Sequence, residues 1–450
     1  MEKLIRIISF GCIVVYILSC GQPRTANEQT TSESAANHEL AEYISKIKAV
    51  DNHAHPTTID PNDQDYDALP LGSIFPFELP VRVRPDGPQW LAAAKAVYGS
   101  AANELNEKAL KDLADTAANA VKQKGEKFPE WALDQSGIEV MLGNRITMGP
   151  GLSSPRFRWA SYVDALLYPL STKAEAAVSP DREKLFPLEE QLLKKYLADL
   201  NISKLPATLD EYLKQVVTPT LEAQKKGGCL ALKFEAAYLR SLDFTKTTFQ
   251  SASEVYAKHV KGGEPSHEHY KMLQDFIFYY IAKEAGRLGL AIHIHSYPAA
   301  GNYFIAAGCD PLLLEPVFND SELRSTKFVL IHGGGTFSHN TTAMLWKPNV
   351  YADLSALTLL WSADQLATVL KEWLSQFPEK VVFGTDASSL GPGLGWEMGA
   401  WIACTTGKQA LTMALGEMIR NNEITLPRAK EIATMVLRTN ASNLYSLGLK

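Results

Sequence analysis

The sequence predicts an α/β protein, a (β/α)8 TIM-type barrel with helical insertions after strands 1 and 3. Three observations carry this. Eight short aliphatic runs bounded by turns recur along the chain, helical stretches separate most of them, and histidines gather at the C-terminal ends of the runs. The runs span residues 47–55, 137–148, 157–167, 230–234, 290–295, 328–332, 350–354 and 380–386. Continuous rather than alternating hydrophobicity is what parallel strands buried on both faces require. Residues 105–124, 210–226, 363–377 and 426–447 read as helices, as does 267–288, where Met272, Phe276, Tyr279, Tyr280 and Ala285 recur at helical spacing before Gly289. The chain between the first two runs, and again between the third and fourth, is longer than one crossover needs, so both stretches read as helical insertions of the kind that form a lid.

Composition agrees. Of 450 residues, 46% are hydrophobic and 21% charged, which excludes a disordered, collagen-like or coiled-coil chain. The net charge of -6 supplies no long-range attraction to phosphate backbones, so no nucleic-acid partner is expected.

The N-terminus reads as a lipoprotein signal peptide over residues 1–19. Lys3 and Arg6 flank a short apolar stretch that ends in Ile17-Leu18-Ser19-Cys20-Gly21, which resembles a bacterial lipobox. Lipidation is therefore expected at Cys20. Residues 20–37, rich in Gln, Thr, Ser, Asn and Glu, read as the lipidated cysteine and a flexible tether, and residues 38–450 as the catalytic domain. Such a chain would sit at the bacterial cell envelope, anchored by lipid to a membrane and facing the periplasm or the exterior. Cys229, Cys309 and Cys404 fit no disulfide framework or zinc ribbon and read as small buried residues.

Of the ten histidines, four lie at or just beyond strand ends: His53 and His55 on the first run, His295 on the fifth and His332 on the sixth. Asp386 ends the eighth. The C-terminal ends of barrel strands converge on one mouth, where imidazoles and a carboxylate form a ligand set for a borderline divalent ion, zinc above all. His53 and His55, two apart on a strand, are expected on one face. His293 reads as a packed histidine one layer deeper, and His38, His259, His267, His269 and His339 as surface residues.

These residues resemble the amidohydrolase superfamily of metal-dependent hydrolases, and within it the amidohydrolase 2 group. The resemblance rests on Asp51-Asn52-His53-Ala54-His55, Lys233, His295, Ile331-His332-Gly333-Gly334-Gly335 and Gly384-Thr385-Asp386, in order over residues 45–450, with a lysine-then-tyrosine-arginine segment at Lys233, Tyr238 and Arg240. It implies one or two Zn2+ ions, or another divalent metal, that lower the pKa of bound water to ~7. His53, His55 and His295 would hold the metal. Asp386 would bind it or its water and act as general base. His332 would be a catalytic donor or a second-metal ligand. Lys233 is either carboxylated and bridges two metals, or an ammonium that binds an anionic group; the group's base expectation leans to one metal. Tyr238, Arg240 and Arg145 are candidates to contact a small-molecule substrate, and the arginines would suit one bearing a carboxylate. The expected reaction is hydrolysis of an amide, lactone or ester. A decarboxylase of the same group and a non-catalytic solute-binding lipoprotein are the alternatives.

Overall fold

The computed structural model describes residues 26–298 and 301–449. The signal peptide and the lipidation site Cys20 lie outside the described residues. Eight parallel strands stand in sequence order: β1 Ala49–Ala54, β2 Ile138–Arg145, β3 Phe157–Tyr162, β4 Cys229–Phe234, β5 Ala291–His295, β6 Lys327–Ile331, β7 Val350–Asp353 and β8 Val381–Val382. Backbone bonds close the ring between the last and first strands: Asn52 N–H donates to the Phe383 carbonyl at 2.9 Å, and Thr385 N–H to that of His53 at 3.2 Å. This is the (β/α)8 barrel that the aliphatic runs predict.

The strands alternate as a filled barrel requires. Val50, Val140, Leu142, Ala160, Ala231, Val329, Ile331 and Val382 form the interior, completed by Tyr445 and Ala441 from the C-terminal segment. Leu232, Phe234, Ile292, Ile294, Phe328 and Leu330 face outward against the helices. The helix His267–Leu288 shows how local sequence makes such an element. Ser266 caps its start by accepting a hydrogen bond from His269 N–H, and Gly289 ends it at a φ of 64°. Between them Tyr270, Leu273, Ile277, Phe278, Ile281 and Ala285 bury one face.

The long connections after β1 and β3 are helical, as expected. The first carries Pro88–Tyr98, Glu107–Lys124 and Phe128–Ser136, the second Pro180–Asp199 and Thr218–Lys226. They meet the loop after β5: Asp181 accepts from the backbone N–H groups of Asn302 and Tyr303 at 2.9 and 2.7 Å, and the Asn302 side chain donates to the Pro76 carbonyl. Among the described residues no helix is long and apolar enough to cross a membrane. Cys229, Cys309 and Cys404 are buried and unpaired, as small core residues.

Two elements depart from the sequence reading. The tether expected through Asn37 is instead helical from its seventh residue, within Ala26–Lys46. Its cause is docking: Leu40 and Ile44, one turn apart, are buried in the cluster of Leu411, Leu415 and Ile432, and Glu39 meets Lys430 at 2.6 Å. That anchored turn offsets the cost of helix nucleation, and the Ala- and Glu-containing stretch before it propagates the helix backwards. The second departure is the 25-residue helix Trp396–Arg420, which no periodic pattern announced. It is apolar on most sides and packed on most sides, so it shows no stripe. Its small residues permit close approach; a Cβ on Gly407 would lie 2.7 Å from Phe383.

Docking of the first helix is testable. Leu40→Ala should lower unfolding stability by about 2–5 kcal/mol in urea denaturation. An unchanged midpoint would mean that this helix does not pack on the barrel.

Candidate metal centre

The mouth of the barrel is assembled by departures from strand alternation. On β5, His293 and His295 follow Ala291 inward at the regular two-residue step. On β6 the step runs Val329, Ile331, and would turn His332 outward. A left-handed backbone at His332, φ 65°, redirects it, and Gly333 to Gly335 continue at φ 54°, 79° and 54°. Side chains would not fit there: a Cβ on Gly333 would lie 2.3 Å from Trp373, and one on Gly335 2.1 Å from Tyr297. Asp386 is likewise left-handed, φ 60°, with its N–H held by the His53 carbonyl at 2.7 Å. On β1 a register shift between Asp51 and Ala54 breaks the alternation, so Asn52 meets interior Tyr445 while His53 reaches the mouth. Left-handed non-glycine backbone costs about 1–3 kcal/mol per residue and persists only where its surroundings hold it.

The result brings one ligand atom each from His53, His332 and Asp386 within 4.8 Å of one another. His53 Nε2 lies 3.1 Å from Asp386 Oδ1, yet both of its ring nitrogens are buried without a hydrogen-bond partner. An imidazole so orphaned, beside a second imidazole and a carboxylate, has the donor chemistry of a divalent-cation site, and the residues present fit one. His55 and His295 flank this trio. His55 Nε2 is 3.4 Å from Asp386 Oδ1, while its Nδ1 lies 3.2 Å from the Tyr162 hydroxyl and 3.6 Å from Asp67. His295 engages the Tyr297 carbonyl through Nε2 at 2.9 Å, with its ring 4.7 Å from that of His332 and 4.4 Å from Tyr238.

Electrostatics suit the same reading. Burial, reinforced by the Lys233 charge, holds His53 well below the ordinary imidazole range and takes His295 down to about 3. Burial also depresses His332, against the opposing pull of Asp386. These rings are neutral at pH 7 and keep lone pairs. Burial works against ionisation of Asp386, but His332, His55 and Lys233 outweigh it and bring the carboxyl to about 2. His55 differs: burial lowers it, yet the carboxylates of Asp67 and Asp386 raise it overall.

Lys233 is fully buried at the end of β4, its ammonium 3.4 Å from Glu235 Oε1. Behind it burial raises the carboxyls of Glu235, Asp164 and Glu189. The Tyr238 ring lies tilted against that of His295 at the mouth. The two arginines do not serve as expected. Arg145 donates to the carbonyls of Thr147 and Pro56 and to Asp63, and Arg240 to the Ser241 carbonyl, Gln274 and Asp275. A guanidinium whose three nitrogens all bind protein acceptors holds loops together, so Arg145 and Arg240 are corrected from substrate contacts to structural ion pairs. Sequence reasoning passed over Tyr162 and Asp67, which hold His55, and Asp353 and Ser355, which hold His332. Asp353 and Ser355 flank the end of β7, the same strand-end signal that marked the histidines.

Fold and site together define a (β/α)8 barrel with a candidate divalent-metal centre at its C-terminal mouth. A family model described as Amidohydrolase matches residues 257–447. Over that C-terminal span the chain is similar to the amidohydrolase family. Among solved structures, a candidate metal-dependent hydrolase from Lactobacillus casei ATCC 334 superposes with a TM-score of 0.61 at 16% identity, covering 91% of this chain and 98% of its own. Glucuronate isomerase from Caulobacter crescentus gives 0.60 at 13%, covering 93% and 95%, and uronate isomerase from Thermotoga maritima 0.56 at 16%, covering 91% and 97%. At these identities the likeness is one of fold. No curated protein matches the sequence.

Burial of neutral histidines has a pH consequence. His293, hydrogen-bonded to Tyr445 at 2.7 Å, is held at about 3 by burial and Lys233 against an ordinary 6.5. The unfolded chain then binds the extra proton, so the stability linked to this group is complete above pH 6.5 and is lost as pH falls toward 3. Urea midpoints at pH 7 and pH 5 should differ less in His293→Gln than in the unsubstituted protein. Equal differences would remove His293 from the account.

Proposed function

We propose that this chain is a metal-dependent hydrolase of a small molecule, cleaving an amide, lactone or ester with water. The observation that carries the reading is the convergence of neutral His53 and His332 on ionised Asp386 at a barrel mouth. His53, His332 and Asp386 would hold the cation, with His55 and His295 beside them. When bound, a divalent cation supplies Lewis acidity, polarising a substrate oxygen and acidifying water. The Asp386 side chain is 27% exposed, so it meets both water and substrate.

The chain's own residues account for proton movement. Asp386 is ionised throughout the neutral range and accepts a proton at its carboxylate, later returning it to the leaving group. A carboxyl near 2 is a weak base, so that transfer needs water already acidified in the site. His55, held through Nδ1 by Tyr162 and Asp67, keeps Asp386 oriented from the other side. Tyr238 presents its ring at the mouth, where it can pack on substrate. A carboxylate-bearing substrate was argued from Arg145 and Arg240, and that argument falls with them.

A second reading is isomerisation by proton transfer. It is favoured by the span over which the glucuronate and uronate isomerase structures superpose, more than nine-tenths of this chain. Decarboxylation stays as a third outcome of the same assay. We also propose a cell-envelope location through Cys20, supported by the leader and the lipobox-like Ile17-Leu18-Ser19-Cys20-Gly21.

Mass analysis of products from a panel of amides, lactones, esters and uronates separates these reactions. Hydrolysis adds the mass of water, isomerisation leaves mass unchanged and decarboxylation releases carbon dioxide. The hydrolase reading expects the first, abolished by a chelator, restored by zinc, and reduced about 10²–10⁴-fold in kcat by Asp386→Asn with the fold intact. Full turnover by Asp386→Asn, or by chelated protein, would contradict it.

A further inference from the structure

A buried polar chain runs beneath the mouth from His332, and its other members take no part in the chemistry above. At its centre is Asp353, at the end of β7 and without solvent exposure. Its Oδ1 accepts hydrogen bonds from the backbone N–H of His332 at 3.2 Å, from the backbone N–H of Ser355 at 2.8 Å and, at short range, from the Ser355 hydroxyl. Its Oδ2 accepts from the Asn52 side-chain amide at 2.9 Å. Four donors fill its two oxygens, which leaves Asp353 an acceptor only.

Counting protons then fixes the direction of every bond in the chain. The Ser355 hydroxyl has one hydrogen, and Asp353 receives it. The Ser355 oxygen, 2.9 Å from His332 Nδ1, must therefore accept from that nitrogen. His332 carries its proton on Nδ1, and Nε2 keeps the lone pair. The far side obeys the same rule. The Asn52 amide donates to Asp353, so its oxygen accepts the Tyr445 hydroxyl hydrogen, and the Tyr445 oxygen accepts from His293 Nε2 at 2.7 Å. Both arms donate toward Asp353.

We infer that Asp353 and Ser355 are positioning residues that lock His332 in the Nδ1–H tautomer, so that its Nε2 lone pair is presented to the cation site shared with His53 and Asp386. The inference rests on the metal-centre reading for its purpose, but not for its geometry. Asp353 adds a second service. Its Oδ1 holds the backbone N–H of His332 in the left-handed conformation that turns the ring inward. Its Oδ2 would lie 2.2 Å from a Cβ on Gly384, so the chain leading to Asp386 is packed directly against the same carboxylate. One side chain thus ties β1, β6, β7 and the approach to Asp386. Groups that orient an imidazole ligand through its other ring nitrogen typically change metal affinity by about 10–100-fold when removed.

Two measurements on the full chain test this. The first is 15N NMR of histidine-labelled, metal-free protein, which reads the tautomer without any metal. The inference expects His332 as Nδ1–H in the unsubstituted protein, and a shift toward a tautomer mixture in Ser355→Ala. An Nε2–H tautomer in the unsubstituted protein would overturn it, as would a pattern that Ser355→Ala leaves unchanged. The second is zinc affinity by chelator competition. The expected result is about 10–100-fold weaker binding in Ser355→Ala, with affinity recovered in Ser355→Thr, which keeps the hydroxyl. Equal affinity in the alanine variant would overturn the positioning role. If the unsubstituted protein binds no zinc, the metal-centre reading fails, while the tautomer measurement still decides the relay.

Discussion

Everything at this site depends on holding an ionised carboxylate among imidazoles that burial keeps uncharged. Asp386 is pulled to about 2 by its neighbours, while His53 and His332 are pushed down by burial. A negative oxygen and two neutral nitrogens, with their ligand atoms in mutual reach, present lone pairs and one compensating charge to a cation. Two of the three, His53 and His332, stand off the regular two-residue step of their strands. The barrel is bent locally to bring them in, through two left-handed residues and one register shift. Strain kept at those places, with Asp353 and the His53 carbonyl holding the backbone, is what makes the rim a site rather than the end of a sheet.

The fold was largely legible because parallel strands buried on both faces leave continuous aliphatic runs. Residues 290–295 and 328–332 became β5 and β6 within one residue at each end, and the helix His267–Leu288 matched its predicted bounds. What escaped was structure without a period. The helix Trp396–Arg420 is enclosed, so it offers no amphipathic stripe. The first helix begins in a polar stretch whose order comes from Leu40 and Ile44 packing against residues distant in sequence. Neither cause can be read from a local window.

At the candidate site, residue identity and strand-end position pointed to side chains that the fold does bring together, because barrel topology sends every strand end to one mouth. Which of their ligand atoms come within mutual reach could not be read that way. Alternation alone groups His53 with His55 and leaves His332 outside, whereas backbone conformation at His332 and Asp386 decides otherwise. The arginines were misread for a related reason. A guanidinium near a strand end suits a carboxylate ligand and a loop carbonyl equally well, and only the folded loops show that Arg145 and Arg240 are already taken. Asp353 and Ser355 were visible in principle, as polar residues at the end of a barrel strand.

The central claim is tested most directly by anomalous diffraction from crystals of the zinc-loaded protein. The account expects one peak at the mouth, about 2.0–2.2 Å from nitrogens of His53 and His332 and an oxygen of Asp386. Zinc ordered elsewhere, or an open gap between those three side chains, would contradict it.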